Sequence, residues 1–260
     1  MLRGLLTAFA LLTAVPAALC DSGDALRILL AGDSTMAEKE ASKRPETGWG
    51  EMLQPWFDEN EVRVVNHAKN GRSTRTFISE GRWQVLLEQV RPGDYVFIQF
   101  GHNDQSKHKV ERYTPPDQYQ ANLRRFVADV RDRQGKPMLF TPVVRRRFDE
   151  QGRFYDSHGE YPDLVRAVAR ETQTPLIDME RSSREVLVAL GEEPSKQLYL
   201  WLEPGQHPNY PAGLQDNTHF TPEGARTMAA LAALDISLSG LELAGRVRAV
   251  APDPGSPPPR

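Results

Sequence analysis

Residues 26–35 read Leu26-Arg27-Ile28-Leu29-Leu30-Ala31-Gly32-Asp33-Ser34-Thr35, a short apolar run that ends in a polar turn. Runs of this length are typical of parallel strands that are buried on both faces of a sheet. The same pattern predicts strands over residues 26–31, 62–65, 95–100, 138–140 and 176–177. Each of these runs is followed by polar residues.

Helical patterns separate the later predicted strands. Apolar residues at helical spacing predict a helix over residues 119–130, which we expect to end at Gly135. Residues 162–171 and 183–190 predict two more helices. A last helix is expected to start at Thr221-Pro222-Glu223, with Thr221 as the N-cap, and to run to about Leu238. This alternation of strands and helices predicts an α/β fold with a parallel sheet covered on both faces.

Three candidate site residues follow three different predicted strands. Ser34 follows the first, Gly71 the second and Asn103 the third. Open parallel sheets bind ligands at the carboxyl ends of their strands. We therefore expect these residues to meet at one edge of the sheet.

Ser34 is the candidate nucleophile of this site. A serine hydroxyl needs a base, and His219 can supply it if Asp216 accepts a hydrogen bond from the other ring nitrogen. Taken alone, Asp33-Ser34 could be an ordinary strand-end turn and Asp216 a loop acid, because Asp and Ser are common turn residues. The order of the other motifs favours the catalytic interpretation.

An acyl-transfer site also needs donors for an oxyanion. The backbone N–H of Ser34 is one candidate, the backbone at Gly71 can approach a substrate closely, and Asn103 can present a side-chain amide. The alternatives are a glycine at a helix start and an Asn-Asp turn. The Gly-x-Ser-x-Gly elbow is absent around Ser34, which argues against the large α/β-hydrolase fold.

These segments resemble those of a known family. Gly32-Asp33-Ser34-Thr35, Asn70-Gly71-Arg72-Ser73, Gly101-His102-Asn103-Asp104 and Asp216-Asn217-Thr218-His219 are similar to blocks I, II, III and V of the SGNH (GDSL-type) hydrolases. The resemblance is closer to the rhamnogalacturonan acetylesterase branch, on the extended segments 32–37, 71–77, 80–83, 99–104 and 216–220. Asn70 departs from the second block, where a small residue often precedes the glycine. Asn tolerates unusual backbone angles.

The resemblance implies a fold, an activity and residue roles. It implies a three-layer αβα sandwich, flavodoxin-like, with about five parallel strands, and an esterase without a metal or other cofactor. It makes Ser34 the nucleophile, His219 the base and Asp216 its orienting acid. The Ser34 N–H, the Gly71 N–H and the Asn103 side chain would form the oxyanion hole.

Other residues are weaker candidates for the site. His102, Asp104 and His108 could be read as a metal cluster, but their spacing fits no zinc pattern. His158 is expected at the surface or in a loop. One candidate substrate-binding residue is Arg145, in an Arg145-Arg146-Arg147 run that could be a solvated face or a carboxylate site. The others are Trp83, Trp201 and Tyr210, as aromatic platforms for a sugar, although a tryptophan in the position of Trp83 is more often a core residue.

Composition and charge place these motifs in one exported domain. The chain has 260 residues, 39% of them hydrophobic, and a net charge of −3, which does not suggest nucleic acid or an anionic membrane as partner. Residues 1–20 are typical of a signal peptide that ends near Cys20, with lipid anchoring at Cys20 as a minor alternative. We expect the folded domain over residues 21–250 and a disordered Pro-rich tail over 251–260.

The signal-peptide pattern predicts a secreted or periplasmic protein, and the resemblance implies a serine esterase, expected as a monomer, that removes O-acetyl groups from pectin. The alternatives are an esterase for acetyl-xylan or another ester, a glycan O-acetyltransferase, and a non-catalytic glycan-binding module.

Overall fold

The computed structural model describes residues 25–249, and its centre is a five-stranded parallel sheet. The strand order is β2-β1-β3-β4-β5. The predicted fold class and all five predicted strands are confirmed, with ends that shift by one or two residues. The expected signal peptide with Cys20 and the expected Pro-rich tail lie outside the described residues. The strands are β1 Leu26–Gly32, β2 Val62–Asn66, β3 Tyr95–Gln99, β4 Lys136–Phe140 and β5 Leu176–Ile177.

Successive side chains of a strand point to opposite faces, so each apolar run fills two separate cores. In β1, Ile28 and Leu30 belong to one buried cluster, whereas Leu29 and Ala31 belong to the other. All four side chains are fully buried. The sheet is therefore covered on both faces, as its continuous apolar strands predict.

Between residues 25 and 249, six α-helices cover these faces. Those that pack with the Leu29 cluster are α1 Thr74–Ser79, α2 Arg82–Leu87, α3 Pro116–Asp132 and α4 Tyr161–Glu171. Those that pack with the Ile28 cluster are α5 Met179–Leu190 and α6 Pro222–Ser237.

Two helix ends that the sequence predicts can be compared with the structure. Thr221 caps α6 as expected, since its hydroxyl accepts a hydrogen bond from the N–H of Gly224 at 3.1 Å. The expected end of α3 at Gly135 is wrong by three residues, because α3 ends at Asp132. The left-handed residue that follows α3 is Gln134, with a φ of 59°. Gly135 instead avoids a clash, because a Cβ there would lie 2.9 Å from a methyl group of Val130.

A two-stranded antiparallel sheet near the end of the chain was not predicted. It pairs β6 Tyr199–Leu202 with β7 Leu214–Phe220. Tyr199 pairs with Phe220 and Trp201 with Gln215, so residues 216–219 all stand opposite Leu200. Such an excess of residues on one strand makes it bulge. The Asp-x-x-His segment is thus a bulge within a strand, not part of a loop as the sequence suggested.

None of the helices between residues 25 and 249 combines the length and the apolar character that crossing a bilayer requires.

Candidate active site

The candidate site lies where the strand order changes direction. From β1 the chain goes to β2 on one side, and then crosses to β3 on the other. Ser34 follows β1 and Asn103 follows β3, so the two residues flank this switch point. Doubly wound sheets bind their ligands at this position.

Ser34 sits in a rigid turn. The Asp33 carboxylate accepts hydrogen bonds from the Thr35 N–H at 2.9 Å and from the Thr35 hydroxyl at 2.8 Å. The N–H of Ala37 closes the turn on the Asp33 carbonyl at 3.0 Å. Ser34 is 9% exposed. Its hydroxyl is therefore held in place at the floor of the cleft.

His219 links Ser34 to Asp216. Its Nε2 lies 2.9 Å from Ser34 Oγ, and its Nδ1 lies 2.7 Å from Asp216 Oδ2. The other oxygen of Asp216 accepts from the N–H groups of Thr218 and His219. Burial opposes the ionisation of Asp216, but the hydrogen bond and charge of His219 hold the pKa of Asp216 below its ordinary value. An ionised Asp216 accepts from Nδ1–H and leaves Nε2 free to accept from Ser34.

Asn217 anchors the bulge that carries this pair. Its backbone carbonyl accepts from the N–H of Arg146 at 2.8 Å, and its side-chain oxygen accepts from the Arg146 guanidinium at 3.1 Å. The indole N–H of Trp201 donates to the same side-chain oxygen at 2.9 Å. Arg146 is 3% exposed, so it is not part of a solvated face. No pattern in the sequence indicates this role of Arg146.

The backbone N–H groups of Ser34 and Gly71 are among those at the site that have no acceptor within the described part of the chain. Gly71 is the third residue of a turn closed by Arg72 N–H on Lys69 O at 3.3 Å, and its φ is +77°. Such a positive φ at this position requires glycine. The unusual backbone angle thus belongs to Gly71, not to Asn70.

A buried lysine ties the two turns together. The Lys39 ammonium donates to the Ser34 carbonyl and, at 2.8 Å, to the side-chain oxygen of Asn70. It also forms an ion pair with Glu46 at 2.9 Å. Burial lowers the pKa of Lys39, and the charge of Glu46 opposes that effect. The sequence offers no pattern that would single out Lys39 or Glu46.

His102 and Asp104 are buried and contact neighbouring segments of the site through their side chains. His102 Nδ1 lies 3.1 Å from Asp33 Oδ2, and both residues are buried. Burial favours a raised pKa for Asp33, but His102 and Thr35 hold that pKa well below its ordinary value. Asp104 accepts from the N–H of Thr74 at 2.9 Å, and burial raises the pKa of Asp104 to about 7. Between residues 25 and 249, no group of three or more His, Cys, Asp and Glu side chains could hold a metal.

His158 lies in a loop, which is one of its two expected placements, but it is fully buried and so is not a surface residue. Its ring packs edge-on against that of His102, with 4.6 Å between the ring centroids. Its Nδ1 lies 2.8 Å from Asp156 Oδ1. Burial lowers the pKa of His158 to about 3, so this histidine is neutral over the physiological range.

The four candidate substrate-binding residues do not come together. Arg145 lines the cleft, and its guanidinium also donates to the His102 carbonyl at 3.0 Å. The sugar-platform role of Trp83 is wrong, because Trp83 is 1% exposed, packs on Phe126 and donates to Asp129. Trp201 and Tyr210 do not line the cleft. The ring of Trp201 is covered by cationic side chains, those of Arg146 and Lys196.

The cleft above Ser34 has a volume of about 620 Å³ and many basic residues. Among the described residues that line it, Glu46 is the one acid, and Glu46 is neutralised by Lys39. Lys43, Lys109 and Arg147 are exposed, and none of their side chains has a hydrogen-bonding or ionic partner within residues 25–249. The other basic residues of the cleft are His102, His108, Arg112, Arg145 and His219.

Known sequences and structures match most of this chain. Residues 30–227 match the GDSL-like Lipase/Acylhydrolase family. The chain is 43% identical over 218 residues to rhamnogalacturonan acetylesterase RhgT of Bacillus subtilis, covering 84% of this chain and 92% of RhgT. It is 37% identical over 217 residues to a probable rhamnogalacturonan acetylesterase, YesY, of the same organism, covering 83% and 94% of the two proteins.

Solved structures support the same fold. The structure of YxiM from Bacillus subtilis aligns with a TM-score of 0.72 at 25% identity, over 84% of this chain and 58% of that one. The acetylxylan esterase Axe2 of Geobacillus stearothermophilus aligns with a TM-score of 0.60 at 23% identity, over 88% and 99% of the two chains. At that identity the likeness to Axe2 concerns the fold alone.

Proposed function

Because the chain belongs to the GDSL-like lipase/acylhydrolase family and is a carboxylic ester hydrolase, we propose that it removes O-acetyl groups from rhamnogalacturonan through an acetyl-serine intermediate. The observation that carries this proposal is the hydrogen-bonded chain from Ser34 through His219 to Asp216, set at the floor of a cationic cleft.

In the proposed acylation step, Ser34 Oγ attacks the acetyl carbonyl carbon while His219 Nε2 takes the hydroxyl proton. The carbonyl oxygen becomes an oxyanion, which the N–H groups of Ser34 and Gly71 and the Asn103 amide stabilise. When the tetrahedral intermediate collapses, the bond to the sugar oxygen breaks. That oxygen leaves with the proton from His219.

Deacylation repeats these roles with water. His219 removes a proton from water as the water oxygen attacks the acetyl-Ser34 carbonyl. The second tetrahedral intermediate expels Ser34 Oγ, which regains a proton from His219, and acetate leaves. Throughout, Asp216 stays ionised and stabilises the imidazolium that forms beside it.

The charge of the cleft supports an acidic glycan as substrate. Rhamnogalacturonan carries a carboxylate on each galacturonate, whereas the xylan backbone is neutral. Lys43, Lys109 and Arg147 line the cleft, and their side chains have no partner among residues 25–249. Arg is suited to bidentate carboxylate binding. This observation favours rhamnogalacturonan over acetyl-xylan.

Steady-state kinetics on two acetylated glycans test the substrate. We expect kcat/KM for acetylated rhamnogalacturonan to exceed that for acetyl-xylan. The double variant Lys109→Ala with Arg147→Ala should lower kcat/KM for acetylated rhamnogalacturonan and leave kcat/KM for acetyl-xylan unchanged. Lys107→Ala is the matched control, because Lys107 is exposed on the same loop but does not line the cleft. Equal losses on both glycans would contradict the acidic substrate. Acetate found on an added glycan, not in solution, would indicate an acetyltransferase.

We also propose export of the chain with removal of residues 1–20. The support is the pattern of one basic residue, an apolar stretch and small residues before Cys20. The intact mass of the protein recovered from the medium or periplasm tests this. Loss of the N-terminal segment is the expected result, a mass increase by a lipid at Cys20 would mean anchoring, and an uncleaved cytosolic chain would contradict export.

A further inference from the structure

The carboxamide of Asn103 has two ends of nearly the same shape. Only the NH₂ end can donate to an oxyanion, whereas the carbonyl end would repel it. An oxyanion hole that uses Asn103 therefore needs something that fixes which end faces the substrate.

Two contacts define the orientation of this side chain. The Arg112 guanidinium donates from Nη1 to Asn103 Oδ1 at 3.1 Å. Asn103 Nδ2 donates to the Arg72 carbonyl at 2.9 Å. Because a guanidinium has donors and no acceptor, the oxygen end of Asn103 must face Arg112. One Nδ2 hydrogen is used on Arg72, and the second remains for another acceptor.

Arg112 also contacts the backbone part of the proposed oxyanion hole. A Cβ at Gly71 would lie 3.2 Å from Arg112 Nη1, so the guanidinium lies directly against Gly71. Arg112 is placed there by the loop that follows Asn103, since its own N–H donates to Lys109 O at 3.0 Å. Its Nε is buried without a hydrogen bond to any residue between 25 and 249, although Glu111 lies 3.3 Å away as an ion pair.

We propose that Arg112 is a positioning residue that holds the Asn103 amide with its N–H toward the reacting carbonyl and so completes the oxyanion hole. The proposal rests on the proposed function. Its effect is exerted in the transition state, because the Asn103 donor matters most when the carbonyl oxygen becomes negatively charged.

Arg112 also lines the cationic cleft, so it could instead bind a carboxylate of the substrate directly. The two roles differ in what they change. A positioning role lowers kcat for any acetate ester, including a small uncharged one. A carboxylate-binding role raises KM for an acidic glycan and leaves a neutral ester unaffected.

A double-mutant cycle on a neutral chromogenic acetate separates these roles. Arg112→Met keeps an unbranched apolar stem and removes the donors of the guanidinium, and we expect kcat to fall about 10- to 100-fold with KM little changed. In the Asn103→Ala background the same substitution should cause little further loss, because its target is already gone. Arg112→Lys, which keeps a cationic donor group, should recover part of kcat.

Control variants separate a failure of the Arg112 proposal from a failure of the proposed function. Lys107→Met, on the same loop and outside the cleft, should match the wild type, and melting temperatures should show that every variant is folded. Losses that add in the double variant, or an effect on the KM of acidic glycans alone, would overturn the role of Arg112 and leave the proposed function intact. Ester hydrolysis that persists in Ser34→Ala would overturn both the role of Arg112 and the proposed function.

Discussion

Arg146 donates two hydrogen bonds to Asn217, which together form a clamp. The Arg146 backbone N–H donates to the Asn217 carbonyl at 2.8 Å, and the Arg146 guanidinium donates to the Asn217 side-chain oxygen at 3.1 Å. Asn217 lies between Asp216 and His219 within the bulge of β7, whereas Arg146 follows β4 of the central sheet. The clamp therefore connects the segment that carries the base to the sheet that carries the nucleophile. Arg146 and Asn217 are far apart in the sequence, so their positions along the chain do not predict this contact.

Loosening this clamp should lower activity without removing any group that touches the substrate. We predict that Asn217→Ala lowers kcat about 10- to 100-fold, because displacements near 1 Å at a catalytic base have effects of this size. The measurement is steady-state hydrolysis of a small acetate ester. Arg153→Met serves as the control, since Arg153 is an exposed arginine paired only with nearby loop residues. Wild-type kcat in Asn217→Ala would contradict the role of the clamp.

Removing the Asn103 side chain should lower kcat by about 10²- to 10³-fold, the usual effect of losing one oxyanion donor. KM should change little, because the donor acts mainly in the transition state. Steady-state kinetics of Asn103→Ala on the small ester measure this. A fully active variant would show that Asn103 is not an oxyanion donor.

Lys39 should affect both stability and catalysis. Lys39→Met leaves the buried Glu46 carboxylate without its lysine partner, although His219 Nε2 stays 3.9 Å from Glu46 Oε1. Removing one partner of a buried ion pair destabilises proteins by about 3–5 kcal/mol. We predict a clear fall in the free energy of unfolding, measured by urea denaturation. Adding Glu46→Leu should recover stability but not kcat, because the Ser34 carbonyl and Asn70 still lack their donor. Recovery of both would mean that Lys39 acts only on stability.

Asp104 should make stability depend on pH in a direction unusual for an acid. Its pKa of about 7 in the folded state, against an ordinary value of 3.8, means that the folded chain binds more protons than the unfolded chain between these pH values. The contribution of Asp104 to stability is therefore present below about pH 4 and is lost as the pH rises through 7. His158, which burial keeps neutral, contributes in the opposite direction.

Comparison with Asp104→Asn isolates this contribution. Asparagine keeps an oxygen that can accept from Thr74 but does not ionise. Urea denaturation at pH 4.5 and 7.5 should show that the variant gains stability relative to the wild type as the pH rises. A constant difference between the two proteins across this range would contradict a raised pKa for Asp104.

The sheet and the residues that meet at its edge were accessible from sequence for a physical reason. Strands buried on both faces must be continuously apolar, so β1 and β3 are visible as runs, and the polar residues after them fall at one edge. The β6–β7 pair was not visible because β7 contains Asp216, Asn217 and His219 and is only partly buried. Its order depends on contacts with Arg146 and Trp201, which are distant in sequence.

The wrong assignments have a similar origin. Trp83 belongs to a segment that matches a family motif, but an indole at helical spacing can equally fill the core, and here it packs on Phe126. Lys39 contacts Ser34, and Arg112 contacts Gly71 and Asn103. These contacts join loops whose paths local sequence does not determine. Single residues in such loops carry no periodic signal.

Acetate release from acetylated rhamnogalacturonan by the wild type and by Ser34→Ala tests the central claim most directly. We predict release by the wild type and a loss on the order of 10⁴-fold or more in Ser34→Ala, because the acetyl-enzyme can no longer form. Ser34→Ala that releases acetate at a rate close to that of the wild type would contradict the assignment of Ser34 as the nucleophile, and with it the proposed mechanism.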